Sequence, residues 1–173
     1  MKRWLLAIVL LMSWQQAQAY TLEISAEELQ AKVTAMMPIE KKKFFVTVTL
    51  SNPAVDLAVG DNKIGIFSDI KLRTPGGVSG SGSLKVTGAL KYVADEGAFY
   101  LQSPQIISLE STDISANMLP KVRELAQLAV QEFLARKPVY RLQDDNIKHN
   151  LAKAVLQSLK VENNKLVVEL GIF

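Results

Sequence analysis

Alternating apolar and polar residues between positions 45 and 111 constrain the fold of this chain more than any other feature of the sequence. In the first segment, Val46, Val48 and Leu50 recur at every second position. A period of two places successive side chains on opposite faces of a β-sheet. Turn residues separate such segments by only a few positions, which favours an antiparallel sheet.

The pattern predicts a meander of strands with turns at glycine, proline and asparagine. Asn52-Pro53 is predicted to break the first strand, and the segment 78–83 (VSGSGS) is either a loop or a bulged edge. A phosphate-binding loop does not fit this segment, because no Gly-Lys-Ser/Thr follows it. The predicted strands are 45–50, 55–59, 64–73, 84–92, 99–102, 105–111 and 139–142.

Apolar residues at spacings of three and four predict helices before and after the meander. Ser25 and Glu28 have the spacing of a capping box at the start of the first helix, and Pro38 ends it. The second and longest helix is predicted to open at Asp113 and to carry a broad apolar stripe over residues 119–137.

A third helix is predicted over residues 144–159, capped by Asp144 or Asp145, with a closing hairpin of 160–162 and 165–170. The fold class expected from these elements is α+β. A strongly curved antiparallel sheet would wrap around the long helix, with additional helices at both ends of the domain.

The apolar stripe of the long helix and the apolar faces of the strands would meet. Either they form a plain hydrophobic core, or they leave an apolar groove that binds a ligand. Periodicity does not separate the two, because core and groove are lined by the same residue types. The candidate groove residues are Val122, Leu125, Ala129, Phe133, Val46, Val48, Ile66, Ile70, Val86 and Leu90.

Residues 1–19 have the features of a cleavable secretory signal peptide. Basic residues precede an apolar run over 4–12, which is shorter than the ~20 residues needed to span a bilayer. We expect cleavage between Ala19 and Tyr20, which leaves one domain over 20–173. An uncleaved membrane anchor is the alternative.

Composition argues against an enzyme. The chain has no cysteine and a single histidine, His149, so the usual thiolate and histidine chemistry is missing, and no metal or other cofactor is expected. A net charge of +3 is too small to indicate nucleic-acid binding. The lysines at 41–43 are predicted to lie in a solvated connection, with contact to an anionic surface as the functional alternative.

The sequence resembles the YceB-like family of bacterial envelope proteins, a domain of unknown function. The resemblance runs over nearly the whole of residues 20–173. The phrases that carry it are 135–142 (ARKPVYRL), 37–41 (MPIEK), 50–53 (LSNP), 88–92 (GALKY) and 97–101 (GAFYL).

The resemblance implies a fold distantly similar to TULIP-type tubular lipid-binding domains, whose relatives carry lipids in an apolar groove. Many family members are lipoproteins, whereas this chain has no cysteine to carry a lipid anchor. A periplasmic protein without a permanent membrane span after cleavage is therefore expected. It would bind a lipid or similar apolar molecule. The alternative is an envelope adaptor with a filled core that binds another protein through its surface.

Overall fold

The computed structural model describes residues 20–60, 62–143 and 156–170, and most of these residues lie in antiparallel strands. The strands are β1 (Tyr20–Ser25), β2 (Ile39–Lys43), β3 (Val46–Asp56), β4 (Lys63–Arg73), β5 (Ser79–Val93), β6 (Ala98–Glu110), β7 (Tyr140–Arg141), β8 (Leu156–Glu162) and β9 (Lys165–Leu170). The α-helices are α1 (Ala26–Ala35) and α2 (Leu119–Phe133), and a short 3₁₀ turn covers Ala94–Glu96. Six strands form one sheet in the order β2-β3-β4-β5-β6-β7, and three form a second in the order β1-β9-β8.

The predicted fold class is wrong. The described part of the chain is dominated by two antiparallel sheets and holds two α-helices, rather than one sheet wrapped around a long central helix with helices at both ends. The longer helix, α2, has 15 residues and contacts mainly β2, β6 and β3. Strand pairing therefore accounts for more of this fold than helical periodicity suggests.

The predicted third helix is wrong where the structure describes it. Leu156 and Leu159 lie in β8, which pairs with β9 across a tight turn at Asn163-Asn164. Both asparagines have positive φ, and the predicted closing hairpin is confirmed. Apolar residues three positions apart fit a helix, but they also fit a strand whose two faces are both half-buried. Pairing with β9 selects the strand. The rest of that prediction, with Asp144, Asp145 and His149, lies outside the described residues, as do residues 1–19.

The capping box of α1 is confirmed. The backbone N–H of Glu28 donates to the Ser25 hydroxyl at 3.2 Å, and the Ser25 N–H donates to the Glu28 carboxylate at 3.0 Å. Two of the free N–H groups at the helix N-terminus are thereby satisfied. The buried face of α1, with Leu29 and Val33, packs on β3.

Prolines that were predicted to interrupt strands instead lie at irregularities inside β3 and β6. In β3 the register shifts between Ser51 and Ala54, and Asn52 has a φ of 49°. In β6, Ser103 has a φ of 47°, and the strand runs on through Pro104. An extra residue in one strand lets the ladder bend and resume, so each strand remains continuous.

The glycine- and serine-rich segment is not a loop, since residues 79–83 lie in β5 and pair with β4. On the other side of β5, pairing with β6 begins only at Ser83. A Cβ at Gly82 would meet the carbonyl oxygen of Glu110 at 2.3 Å, because the chain after β6 crosses directly over this strand. Asp113 lies in that crossing segment, where it accepts a 2.8 Å hydrogen bond from the Ser81 hydroxyl. The second helix therefore begins at Leu119 rather than at Asp113.

A single cluster of buried apolar residues joins both sheets and both helices. Ile64, Ile66, Ile70 and Leu72 share the buried face of β4, which confirms the alternation predicted for this strand. Leu22 and Val168 bring the three-stranded sheet into the same core. Among the described residues, no helix has the length and apolar character needed to cross a bilayer.

Candidate functional site

The residues predicted to line either a core or a groove are mostly buried in the core. Val122, Leu125, Ala129, Val48, Ile66, Ile70 and Val86 are buried, whereas Phe133, Val46 and Leu90 are partly buried against the same cluster. Two members of this set, Val46 and Leu125, also line a cavity. That any of the ten residues contacts a ligand stays a prediction.

The hairpin that joins β2 to β3 is the most unusual surface feature of the described chain. Lys43 pairs with Val46, so Phe44 and Phe45 alone form the turn. Their exposed fractions are 82% and 75%, the largest among the exposed bulky apolar residues. Two adjacent aromatic rings in water are unfavourable for an isolated domain, and exposed apolar patches mark binding surfaces.

The prediction of a solvated connection at 41–43 is wrong, because these lysines lie on β2 and pair with β3. Sequence reasoning also missed the tip itself, since Phe45 was placed in a strand and Phe44 in no element. Two-residue hairpin turns usually carry glycine, asparagine or aspartate. Residues 40–43 are all charged, so no alternation of apolar and polar residues marked β2, and no turn residue marked the tip.

Phe44 adopts a backbone conformation that bulky residues rarely take. Its φ is 55°, in the left-handed region that favours glycine and asparagine. Such a conformation costs roughly 1–2 kcal/mol for a residue with a Cβ. Because the ring of Phe44 is exposed, packing inside the protein offsets little of this cost. Residues in strained backbone conformations cluster at binding sites.

A cavity of about 380 Å³ lies between this tip and the N-terminal half of α2. Its volume falls within the range of small-molecule sites, and such sites combine apolar walls with a few polar groups. The residues that line it are Lys43, Phe44, Phe45, Val46, Lys121, Glu124 and Leu125. An apolar chain can lie against the aromatic and aliphatic walls while a polar end reaches the charged rim.

Two ion pairs fasten β2 to α2 and set their relative direction. The Lys43 ammonium lies 2.9 Å from the Glu124 carboxylate, and the Lys41 ammonium lies 2.6 Å from the Glu132 carboxylate. The hydrogen bond from Lys41 holds the pKa of Glu132 below its ordinary value. Since Lys43 is nearer the tip and Glu124 nearer the helix start, the N-terminus of α2 lies on the tip side.

Positive charge remains uncompensated around the tip. Within the part of the chain that the structure describes, neither Lys42 nor Lys121 forms an ion pair. The N-terminus of α2 adds the positive end of a helix dipole on the same side. Of these two lysines only Lys121 lines the cavity, where its charge favours an anionic group at the rim.

A family model described as a protein of unknown function (DUF1439) matches residues 24–165. The chain belongs to this family. The match includes the hairpin tip, both helices and all strands of the six-stranded sheet, so the candidate site lies inside the family domain. A comparison with curated proteins found no match.

The aromatic residues Tyr92, Phe99 and Tyr100 lie on β5 and β6 of this DUF1439 protein. The rings of Tyr92 and Phe99 are 5.0 Å apart, as in ordinary aromatic packing. Tyr100 donates a hydrogen bond to Glu96, and this bond raises the pKa of the Tyr100 hydroxyl. Burial raises the pKa of Tyr92, whose hydroxyl has no hydrogen-bond partner among the described residues.

No metal-binding cluster emerges from the described residues of this DUF1439 protein. No group of three or more histidine, aspartate or glutamate side chains in 20–60, 62–143 and 156–170 is arranged to hold a metal ion. The chemistry that the hairpin site offers is apolar contact combined with cationic attraction.

Proposed function

We propose that this DUF1439 protein binds a lipid or other apolar molecule with an anionic end, and that it is not an enzyme. The cavity between the hairpin tip and α2 carries the proposal, because Phe44, Phe45 and Leu125 give it apolar walls. The Lys121 side chain at the rim would attract the anionic end of the ligand. Removal of apolar area from water would drive binding, at roughly 25 cal/mol per Å² before ordering costs.

The cellular setting belongs to the same proposal. Export by residues 1–19 would deliver the protein to the periplasm, where lipids pass between membranes. The resemblance to YceB-like envelope proteins, and through them to TULIP-type lipid carriers, supports an apolar ligand as well. Fold-level likeness alone is weak warrant for function, so the site has to be tested directly.

Titration with a fluorescent fatty acid, kept below its micelle concentration and without vesicles, tests the cavity. We expect saturable binding by the unaltered protein. Val46→Trp, which adds bulk toward the cavity, should abolish binding. Lys121→Glu should weaken it about fivefold or more through charge repulsion.

Two control variants address changes outside the cavity. Phe67→Ala alters an exposed ring on β4, and Lys91→Glu reverses an exposed charge on β5. Both should bind the probe like the unaltered protein. Absence of saturable binding by correctly folded protein, or equal binding by Val46→Trp, would contradict the proposal.

The filled core favours a second candidate function, an adaptor in the cell envelope. Most of the predicted groove residues are buried among one another, as a packed interior requires. The protein would then bind another envelope protein through its surface, with β2 and its lysines as one contact. Co-purification of a stoichiometric partner that is retained by Val46→Trp and lost by Lys42→Glu would favour the adaptor over the carrier.

A further inference from the structure

We propose that the β2–β3 hairpin docks end-on against the surface of a bilayer that contains anionic lipids. This goes beyond the binding of a single lipid, because it assigns the protein a membrane surface as a partner. The docking element is the tip, Phe44-Phe45, together with the flanking lysines Lys42 and Lys121.

The aromatic pair matches the interfacial zone of a membrane. Phe44 and Phe45 stand at the outermost point of a two-residue turn, with 82% and 75% of their surface exposed. Rings placed in this way can enter the boundary between headgroups and acyl chains while the strands stay outside. Only the two turn residues project beyond the ladder, since β2 and β3 stay paired up to Lys43 and Val46.

The charges around the tip match an anionic surface rather than a neutral one. Lys42 lies two residues before Phe44, a separation of roughly 7 Å along a strand. Charges within about 8 Å of a surface interact with it at physiological ionic strength. Lys121 extends this basic area from the first turn of α2, and the helix presents its positive end on the same side.

The conformation of Phe44 supports a binding role over a structural one. A glycine at a φ of 55° would relieve the backbone strain at this turn, and the present side chain is not packed in the core. The cavity lies directly behind the rings, since both line it. Docking through these rings would thus bring the cavity next to the bilayer surface.

Co-sedimentation with vesicles tests the inference. The protein is purified as the host processes it, so that all variants share one N-terminus. The vesicles are phosphatidylcholine alone or phosphatidylcholine mixed with phosphatidylglycerol. We expect binding to the mixed vesicles that weakens with added salt, and binding to neutral vesicles that is about tenfold weaker.

The variants separate the two parts of the docking element. Phe44→Gly combined with Phe45→Ser should reduce binding about tenfold or more. Lys42→Glu and Lys121→Glu should each reduce it about fivefold and also reduce the salt dependence. Phe67→Ala and Lys91→Glu are the matched controls and should bind like the unaltered protein. Thermal unfolding is measured alongside, and the glycine-serine variant should unfold no earlier than the unaltered protein.

Several outcomes would overturn the inference. These are no sedimentation of the unaltered protein with either vesicle, equal binding by the glycine-serine variant, and equal binding to neutral and anionic vesicles. Failure here is distinct from failure of the proposed function, which is measured without vesicles. Val46→Trp should lose the fatty-acid probe and still sediment with vesicles.

Discussion

At the scale of single residues, glycines in β5 permit a close crossing of two chain segments. A Cβ added at Gly82 would lie only 2.3 Å from the carbonyl oxygen of Glu110 and 2.9 Å from the Cβ of Ser111. Since these neighbours are backbone and near-backbone atoms, they can move only if the crossing segment moves. The composition of this strand thus reflects packing rather than mobility.

Gly82→Ala should therefore lower the free energy of unfolding by about 1–3 kcal/mol through overpacking. Urea unfolding followed by circular dichroism measures the change. The matched control is Gly76→Ala, because no atom of the described part of the chain lies within 4 Å of a Cβ at that turn glycine. Equal stabilities of the two variants would show that the crossing at β5 is looser than described.

Asp56 makes stability depend on pH. The Lys85 ammonium donates a 2.8 Å hydrogen bond to its carboxylate, and the Ala58 N–H donates a second at 2.9 Å. Both hydrogen bonds hold the pKa of Asp56 below its ordinary value. Because the folded pKa is lowered, the stabilisation is complete above the ordinary aspartate pKa of about 3.9 and is lost as the pH falls through the folded pKa.

We expect Asp56→Asn to lower the free energy of unfolding by about 1 kcal/mol at neutral pH. The difference from the unaltered protein should shrink as the pH falls below about 4, because the wild-type carboxylate then becomes protonated. Denaturant unfolding at a series of pH values measures it, with Asp95→Asn in the exposed 3₁₀ turn as the control. A difference that stays constant with pH would contradict this role.

At the scale of elements, one glutamine side chain on each helix forms hydrogen bonds with backbone groups at the irregularity of a neighbouring strand. The Gln30 amide on α1 donates to the Pro53 carbonyl at 2.6 Å and accepts from the Val55 N–H at 2.8 Å. The Gln127 amide on α2 makes the same pair of bonds with Pro104 and Ile106, at 2.8 and 2.9 Å. The backbone groups left without ladder partners at the irregularities are thereby satisfied.

Gln127→Ala should lower the free energy of unfolding by about 1–3 kcal/mol, because it leaves two part-buried backbone groups without partners. Gln131→Ala changes the same residue type at an exposed position of α2 and should have little effect. Hydrogen exchange at the Ile106 amide gives a local readout, with faster exchange expected only in the Gln127 variant. Unchanged exchange at that amide would contradict the role assigned to the glutamine.

Local sequence patterns predicted some turns and caps correctly, but they did not predict the continuity of β3 and β6 or the start of α2. The capping box at Ser25 and the asparagine turn at 163–164 depend on neighbours in sequence, and both are confirmed. The continuity of β3 and β6 depends on the distant glutamines, which a strand pattern does not contain. The start of α2 was misplaced because Asp113 bonds to Ser81 on another strand instead of capping the helix.

At the scale of the whole molecule, the sequence showed which positions are apolar. It did not show which of them form the core and which line a cavity. The alternation in β4 located a buried face correctly, whereas Leu159, assigned to a helical face, lies in a strand. Core and groove look alike in a sequence, so the cavity emerged only when β2 and α2 were placed side by side. The tip at Phe44 escaped notice because its turn lacks the usual turn residues.

The central claim is that the cavity behind the hairpin tip holds a lipid or a related apolar molecule. Native mass spectrometry of the protein as purified, followed by extraction and identification of any bound molecule, tests it most directly. We predict an added mass that corresponds to an anionic lipid or fatty acid, and that Val46→Trp lacks it. Protein that carries no added mass, and that takes up none when anionic lipid is supplied, would contradict the claim.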